Sequence, residues 1–253
     1  MALGKKGTVR AVETSLRIID ALADLNGAST SQIAAHLNLP KSTVHAHLRT
    51  LLENEYVITH QGAYSLALHL FELGQHARSR HEIVTVAIEE LERLAERTQE
   101  IASLLIEEHG HGVFVYSVNG STRRRTSSRI GRRVHLHATS SGKAILAHLS
   151  KERIHTLVDR HGLEAYTSNT ITTRSVLFEE LETIRSQGYA VDDEERQTGF
   201  FCTGAPVLAE TEVLGAISIS GPKHRILDSW SVEELAARTT ETATNIEFNI
   251  TGI

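Results

Sequence analysis

The 253 residues contain a single cysteine, Cys202. That excludes an internal disulfide and a cysteine-built zinc site, so stability has to come from packing. No stretch approaches the roughly 18 consecutive apolar residues that a membrane span needs, and the opening segment MALGKKGTVR lacks the apolar core of a secretory signal. No membrane partner is therefore expected, and the chain reads as cytoplasmic. A large charge excess is also missing: the net charge of -5 does not suit a protein that coats nucleic acid in bulk. Enzyme signatures are absent too. SSGKA, at 140–144, is not a phosphate loop, because the position five residues before Gly142 is His137 rather than glycine. No G-x-S-x-G elbow occurs, and no internal repeat is visible. No catalytic residue, metal or cofactor is assigned.

What is present is an ordinary globular composition, 40% hydrophobic and 23% charged, long enough for one large domain or two modest ones. Charge is spread unevenly. Residues 1–65 carry a net +1 and the remaining 188 residues a net -6, which permits a small near-neutral unit joined to a larger acidic one.

In VETSLRIIDALADLNG, apolar residues recur at Val12, Leu16, Ile19 and Ala23, widened by Leu22 and Leu25, and Asn26-Gly27 stops the helix. Ser29 and Gln32 have capping-box spacing, so TSQIAAHL is a second, short helix burying Ile33 and Leu37. Asn38-Leu39 form a turn. Pro40 then suits the first position of a new helix, where its missing N–H has no intrahelical partner. That third helix places Val44, Leu48, Leu51 and Leu52 on one face and Ser42, Ala46 and Arg49, flanked by Thr43 and Thr50, on the other. Small and hydrogen-bonding residues are what a helix needs to enter the DNA major groove: bulk would hold it out, while Arg can fork onto a guanine edge. YVITHQGAYSL reads as two strands around His60-Gln61-Gly62-Ala63, a hairpin forming the wing of a winged helix. The competing reading is a small helical core whose polar face meets only water.

Leu66, Leu70 and Leu73, with Leu68 and Phe71, predict a linker helix over Ala67–Arg78 whose apolar width invites a partner subunit. IVTVAIEELERLAERTQE then opens a larger domain. Its strands are IASLLIEE and GVFVYSV around His109–Gly112, then YAVDDE, FFCTGAPVL and VLGAISISG. Helices are expected at Ser141–Leu149, Lys151–His161 and Val176–Gln187, and a last one starts at Ser231 with Glu234 at capping-box spacing. Hairpin-linked strands with segregated helices make an α+β fold around an antiparallel sheet.

LPKSTVHAHLRTL, HATSSGKAIL and YAVDDEERQTGFFCTGAPVLAETEVLGAISISGP closely resemble the IclR family of transcriptional regulators, over nearly the whole chain from about Val9. The resemblance implies a winged helix-turn-helix over 9–66, a linker helix over 67–80 and, over 81–253, a GAF-like domain for effector binding and oligomerisation, in homodimers or dimers of dimers. Carried over by position, the effector pocket would take Ser140 and Ser141, Asp192, Cys202, and Ser218 with Ser220, with Leu136 as an apolar wall. Such a set suits a small organic acid or polar metabolite, since unpaired donors at the start of the Ser141 helix favour an anion. Read without the family, Ser218 and Ser220 fit a solvent-facing strand edge equally well, and Asp192 a loop cap. Ala46 departs from the family, which often has a larger polar residue there.

The partners expected are thus a double-stranded DNA operator and a small-molecule effector. Ser42, Thr43, His45 and Arg49 are the base-reading set, with Lys41, Gln61, Ser31 and Gln32 on phosphate. Two other readings compete: a hydrolase using Ser141 with a nearby His, and an adaptor that dimerises without DNA. The six arginines of RRRTSSRIGRR (123, 124, 125, 129, 132, 133) read first as a solvated loop, and otherwise as an attractor of anions. The pairs His109/His111 and His135/His137 fall on one strand face each, a weak metal pattern. Beside Phe200 and Phe201, Cys202 reads as a buried, inert thiol rather than a sensor.

Overall fold

The computed structural model describes residues 7–121, 124–125, 130–210 and 212–252, with only the backbone at Arg124 and Arg125. Arg123 and Arg129 of the arginine cluster lie outside the described residues. The chain divides into two compact units, 1–80 and 81–253.

The first unit runs α1 (Arg10–Asp24), β1 (Ala28–Ser29), α2 (Thr30–Leu37), α3 (Lys41–Glu53), β2 (Val57–His60), β3 (Ala63–Leu66) and α4 (His69–Ser79). Its core comprises Ile18 and Leu22 from α1, Ile33 from α2, Val44, Leu48 and Leu51 from α3, and Val57 from the hairpin. Fully burying each large aliphatic side chain is worth about 1.5–3 kcal/mol. The inward face of α1 is thus the row through Ile18, Ala21 and Leu22. The Val12–Leu16 row of the sequence reading is more than half exposed. Both rows have helical period, and only contact with α2 and α3 distinguishes them. The Ser29 and Gln32 capping box forms as expected, and Asn38 ends α2 in the left-handed region at φ 52°. Pro40 is the N-cap of α3, at φ -58° and ψ 138°, one residue outside the position expected for it. Its carbonyl accepts the Val44 N–H at 3.1 Å. The hairpin turns at Gln61 (φ 49°) and Gly62 (φ 81°), the double positive-φ turn that matches strand twist. β1 adds a third strand, in the order β1-β3-β2; two residues were too few to show in the pattern. The linker helix starts at His69 rather than Ala67, and none of its residues is buried.

The second unit opens with α5 (Glu82–Thr98), followed by β4 (Ile101–Glu108), β5 (His111–Asn119), β6 (Arg124–Arg125), β7 (Arg133–His135) and a 3-10 turn at Leu136–Ala138. Next come α6 (Ser140–Ala147), α7 (Lys151–His161), α8 (Arg174–Gln187), β8 (Ala190–Asp193), β9 (Phe200–Ala209), β10 (Glu212–Pro222), α9 (Lys223–Ser229) and α10 (Val232–Thr251). The antiparallel sheet has the order β6-β5-β4-β10-β9-β8, with β7 also on β5. Alternation along the strands sends one set of side chains into a core with α5 and α10. The other set packs with α6, α7 and α8. Helices cover both faces of the sheet. The central strands are accordingly buried along most of their length, as a sheet covered on both sides requires. Among the described residues no helix is long and apolar enough to cross a membrane.

Candidate functional site

In the first unit, Arg17 donates to the Leu37 carbonyl at 3.2 Å and Ser15 Oγ meets His47 Nδ1 at 2.8 Å. These contacts fix α2 and α3 against α1. With Val44, Leu48 and Leu51 held inward, Lys41, Ser42, His45, Ala46 and Arg49 are left exposed and Thr43 half-buried. Arg49 has only a loose 4.0 Å contact to the exposed Glu53. Gln61 is exposed at the hairpin tip and Ser31 in the first turn of α2. Gln32 is committed in part: its Oε1 accepts from Ser29 N at 2.9 Å and Ser29 Oγ at 2.8 Å, leaving its amide N–H groups as donors.

In the second unit, sheet register assembles residues far apart in sequence. Asp192 pairs with Cys202 and Cys202 with Ser220, so three neighbouring strands set them in one row. Gly204 and Ser218 form the next row on that face. The first turn of α6 lies directly upon it: a Cβ at residue 204 would stand 2.6 Å from Ser141 N, and one at Gly142 would stand 2.2 Å from the Leu136 carbonyl oxygen. Thr139 caps α6 by accepting the Gly142 N–H at 3.1 Å. Between helix and sheet lies a cavity of about 90 Å³ that brings together Ser140, Ser141, Asp192, Cys202, Ser218 and Ser220. Ser218 and Ser220 are 4% and 2% exposed, so the solvent-facing alternative does not hold for them.

Leu136, expected as an apolar wall, does not line the cavity. β7 ends at His135, and the 3-10 turn directs Leu136 into the apolar core beneath α6. Val134, Phe114 and Phe200 supply the apolar wall instead. Val134 lies two positions earlier, in β7. Two cations also line it: Arg132, from the arginine cluster whose alternative reading was attraction of an anion, and Arg196, which the sequence did not point to.

Asp192 is a loop cap as well as a lining residue: its Oδ1 accepts the N–H groups of Glu195 at 2.8 Å and Arg196 at 3.3 Å. Burial pushes its carboxyl above the usual range, against the pull of those two N–H groups. Behind α6, Lys143 is 1% exposed and donates to Glu180 at 2.8 Å and Glu195 at 2.5 Å. Among the described residues, Glu195 Oε2 is buried without a partner. Burial pushes Glu195 up to about 7 in spite of Lys143. Lys143 sits within SSGKA, where its charge was legible but its burial was not.

The histidines are arranged differently from two strand pairs. His109 occupies the hairpin turn at φ 54°. His111, His135 and His161 instead come together, with ring centroids 5.3 Å (111–135) and 4.4 Å (111–161) apart, and His137 stacks on His135 at 5.8 Å. Burial, then repulsion from His161 and Arg133, holds His111 below the usual imidazole range. Burial also lowers His137 and His161. Among the described residues no three His, Cys, Asp or Glu side chains are placed to hold a metal ion.

Residues 11–59 match the family description "IclR helix-turn-helix domain", and residues 75–248 match "Bacterial transcriptional regulator IclR C-terminal". The chain belongs to the IclR family. This IclR-family protein is a DNA-binding transcriptional regulator. It is 31% identical to the transcriptional repressor IclR of Escherichia coli over 246 residues, 95% of this chain and 89% of that one. It is also 31% identical to the probable HTH-type transcriptional regulator ArcR of Halobacterium salinarum, covering 98% and 96% of the two chains. The crystal structure of the Thermotoga maritima IclR superposes with a TM-score of 0.75 at 30% identity, over 95% of this chain and 98% of that one. These relatives are regulators of transcription, not enzymes.

Proposed function

We propose that α3 reads a DNA operator, through Ser42, Thr43, His45 and Arg49, while Lys41, Gln61, Ser31 and the free amide of Gln32 hold phosphates. The observation that carries this reading is the exposed face of α3, small and hydrogen-bonding where a groove demands it. Residues 9–66 form the DNA-binding domain, 67–80 the linker, and 81–253 the effector and oligomerisation domain. A homodimer, or a pair of dimers, fits the apolar surface that the single chain leaves open: Leu68 is 85% exposed just before α4, Phe71 64% exposed within it, and Val9 65% exposed beside α1. The cavity under α6 takes a small metabolite that shifts operator affinity. Its lining contains no histidine among the described residues, so the pairing of Ser141 with a nearby His, on which the hydrolase reading rests, finds no support there. The protein acts in the cytoplasm as a regulator without catalysis.

Footprinting on the protein's own promoter tests this. A protected, sequence-specific site is expected, and Arg49→Ala should weaken it roughly tenfold or more, since a good base contact is worth about 1–3 kcal/mol. Unchanged affinity and sequence preference would remove Arg49 from the reading helix. A metabolite that releases the wild-type footprint should do so at much higher concentration with Asp192→Ala; an unaltered dose response would exclude Asp192 from the pocket's function.

A further inference from the structure

Two guanidinium groups at the cavity remain unanswered. Arg132, just before β7, and Arg196, in the turn after β8, both line it, and neither has a carboxylate partner among the described residues. Five other arginines of the unit, Arg93, Arg153, Arg174, Arg185 and Arg225, are ion-paired; what distinguishes Arg132 and Arg196 is that they face the cavity. Arg196 is set in place without a counter-charge. Asp192 holds its backbone N–H, and its guanidinium rests 3.9 Å above the Tyr166 ring. A planar fork held in this way loses little freedom when it clamps a carboxylate.

At the α6 side of the cavity, Ser140, Ser141 and Ser218 are each at least 96% buried, and their hydroxyls have no partner among the described residues. They surround the first turn of an eight-residue helix, where donors and dipole favour an anion. The lining therefore offers two groups of donors, hydroxyls against helix α6 and guanidiniums from the loops. Its charged side chains are the two arginines and the carboxyl of Asp192. One carboxylate placed on the serines leaves the arginines without an answering charge, and the volume of about 90 Å³ admits only a small molecule.

We propose that the cavity selects a small dicarboxylate, one carboxylate accepting from Ser140, Ser141 and Ser218 and the other clamped by Arg196 and Arg132. This rests on the reading of the cavity as the effector site. It adds Arg196 and Arg132 as the residues that choose between a dianion and a monoanion.

Succinate and succinamate, which match in shape and differ by one charge, are the probes for titration calorimetry on the full-length protein. Wild type should bind succinate roughly tenfold to a hundredfold more tightly, the value of a charge-assisted clamp. Arg196→Gln should reduce that preference to near parity. Arg132→Gln, at an exposed position, gives the same readout where Arg196→Gln does not fold. Equal binding of both probes by wild type overturns the proposal, as does a preference that survives both substitutions or the failure of both probes to bind at millimolar concentration. The effector reading is judged separately: a neutral or monoanionic compound that raises the wild-type melting temperature, but not that of cavity-filled Ser220→Phe, leaves that reading standing while the dicarboxylate inference falls.

Discussion

Glu195 shows how far a side chain's chemistry depends on what is packed around it. In the sequence it is one of four consecutive acids, 192 to 195, and nothing in the run distinguishes it. In the fold it is buried beside Lys143, and its carboxyl is raised from 4.5 to about 7. A raised folded-state value means the native protein holds the proton more tightly than the unfolded chain. The stability this group supplies is therefore complete below about pH 4.5 and is lost as the pH rises toward and through about 7. Glu195→Gln, which copies the neutral form, should remove this dependence: from pH 5.5 to 8.5 its unfolding free energy in urea should fall by about 2 kcal/mol less than that of wild type. Equal slopes would show that Glu195 titrates normally. The pocket residues were legible by motif position, but only sheet register explains why Asp192, Cys202 and Ser220 meet. Leu136, carried over by family position, packs in the apolar core instead, because β7 gives way to a 3-10 turn directly after His135.

The capping boxes at Ser29 and Ser231 were readable because a cap is local chemistry, settled within four residues. For the same reason Ser29→Ala should cost about 1 kcal/mol and loosen the start of α2, which helps hold α3. A lower urea midpoint together with weaker operator binding is expected, and an unchanged midpoint would show that the cap is dispensable. Helix α1 shows the limit of periodic reading. The rows Ile18–Ala21–Leu22 and Val12–Leu16 are both apolar at helical spacing, and the sequence gives no sign of which one α2 and α3 will cover. The short β1 and β7 escaped because two or three residues carry too little pattern, whereas β4 was read at its full length from IASLLIEE.

Across the second unit, two opposing groups of titrations set the stability profile. Glu195, and Asp192 in the same direction, weaken the fold toward high pH. His111, His137 and His161 have lowered folded-state values, so the stability they leave intact above about 6.5 is lost as the pH falls through those values. The melting temperature of this unit should therefore peak near neutrality, and His161→Gln should flatten the acid limb; a monotonic profile would contradict the clustering of the rings. The sequence alone determined where helices cap and break, that α3 has one greasy and one polar face, and that two units follow each other, because those properties depend on neighbours a few residues apart. The tertiary structure alone decided which α1 row is core, that Lys143 is buried between two glutamates, and that Arg132 and Arg196 share a cavity with the serines of α6. Register and packing join segments as far apart as Phe114 and Ser220 there, and local periodicity does not specify which distant segments will meet.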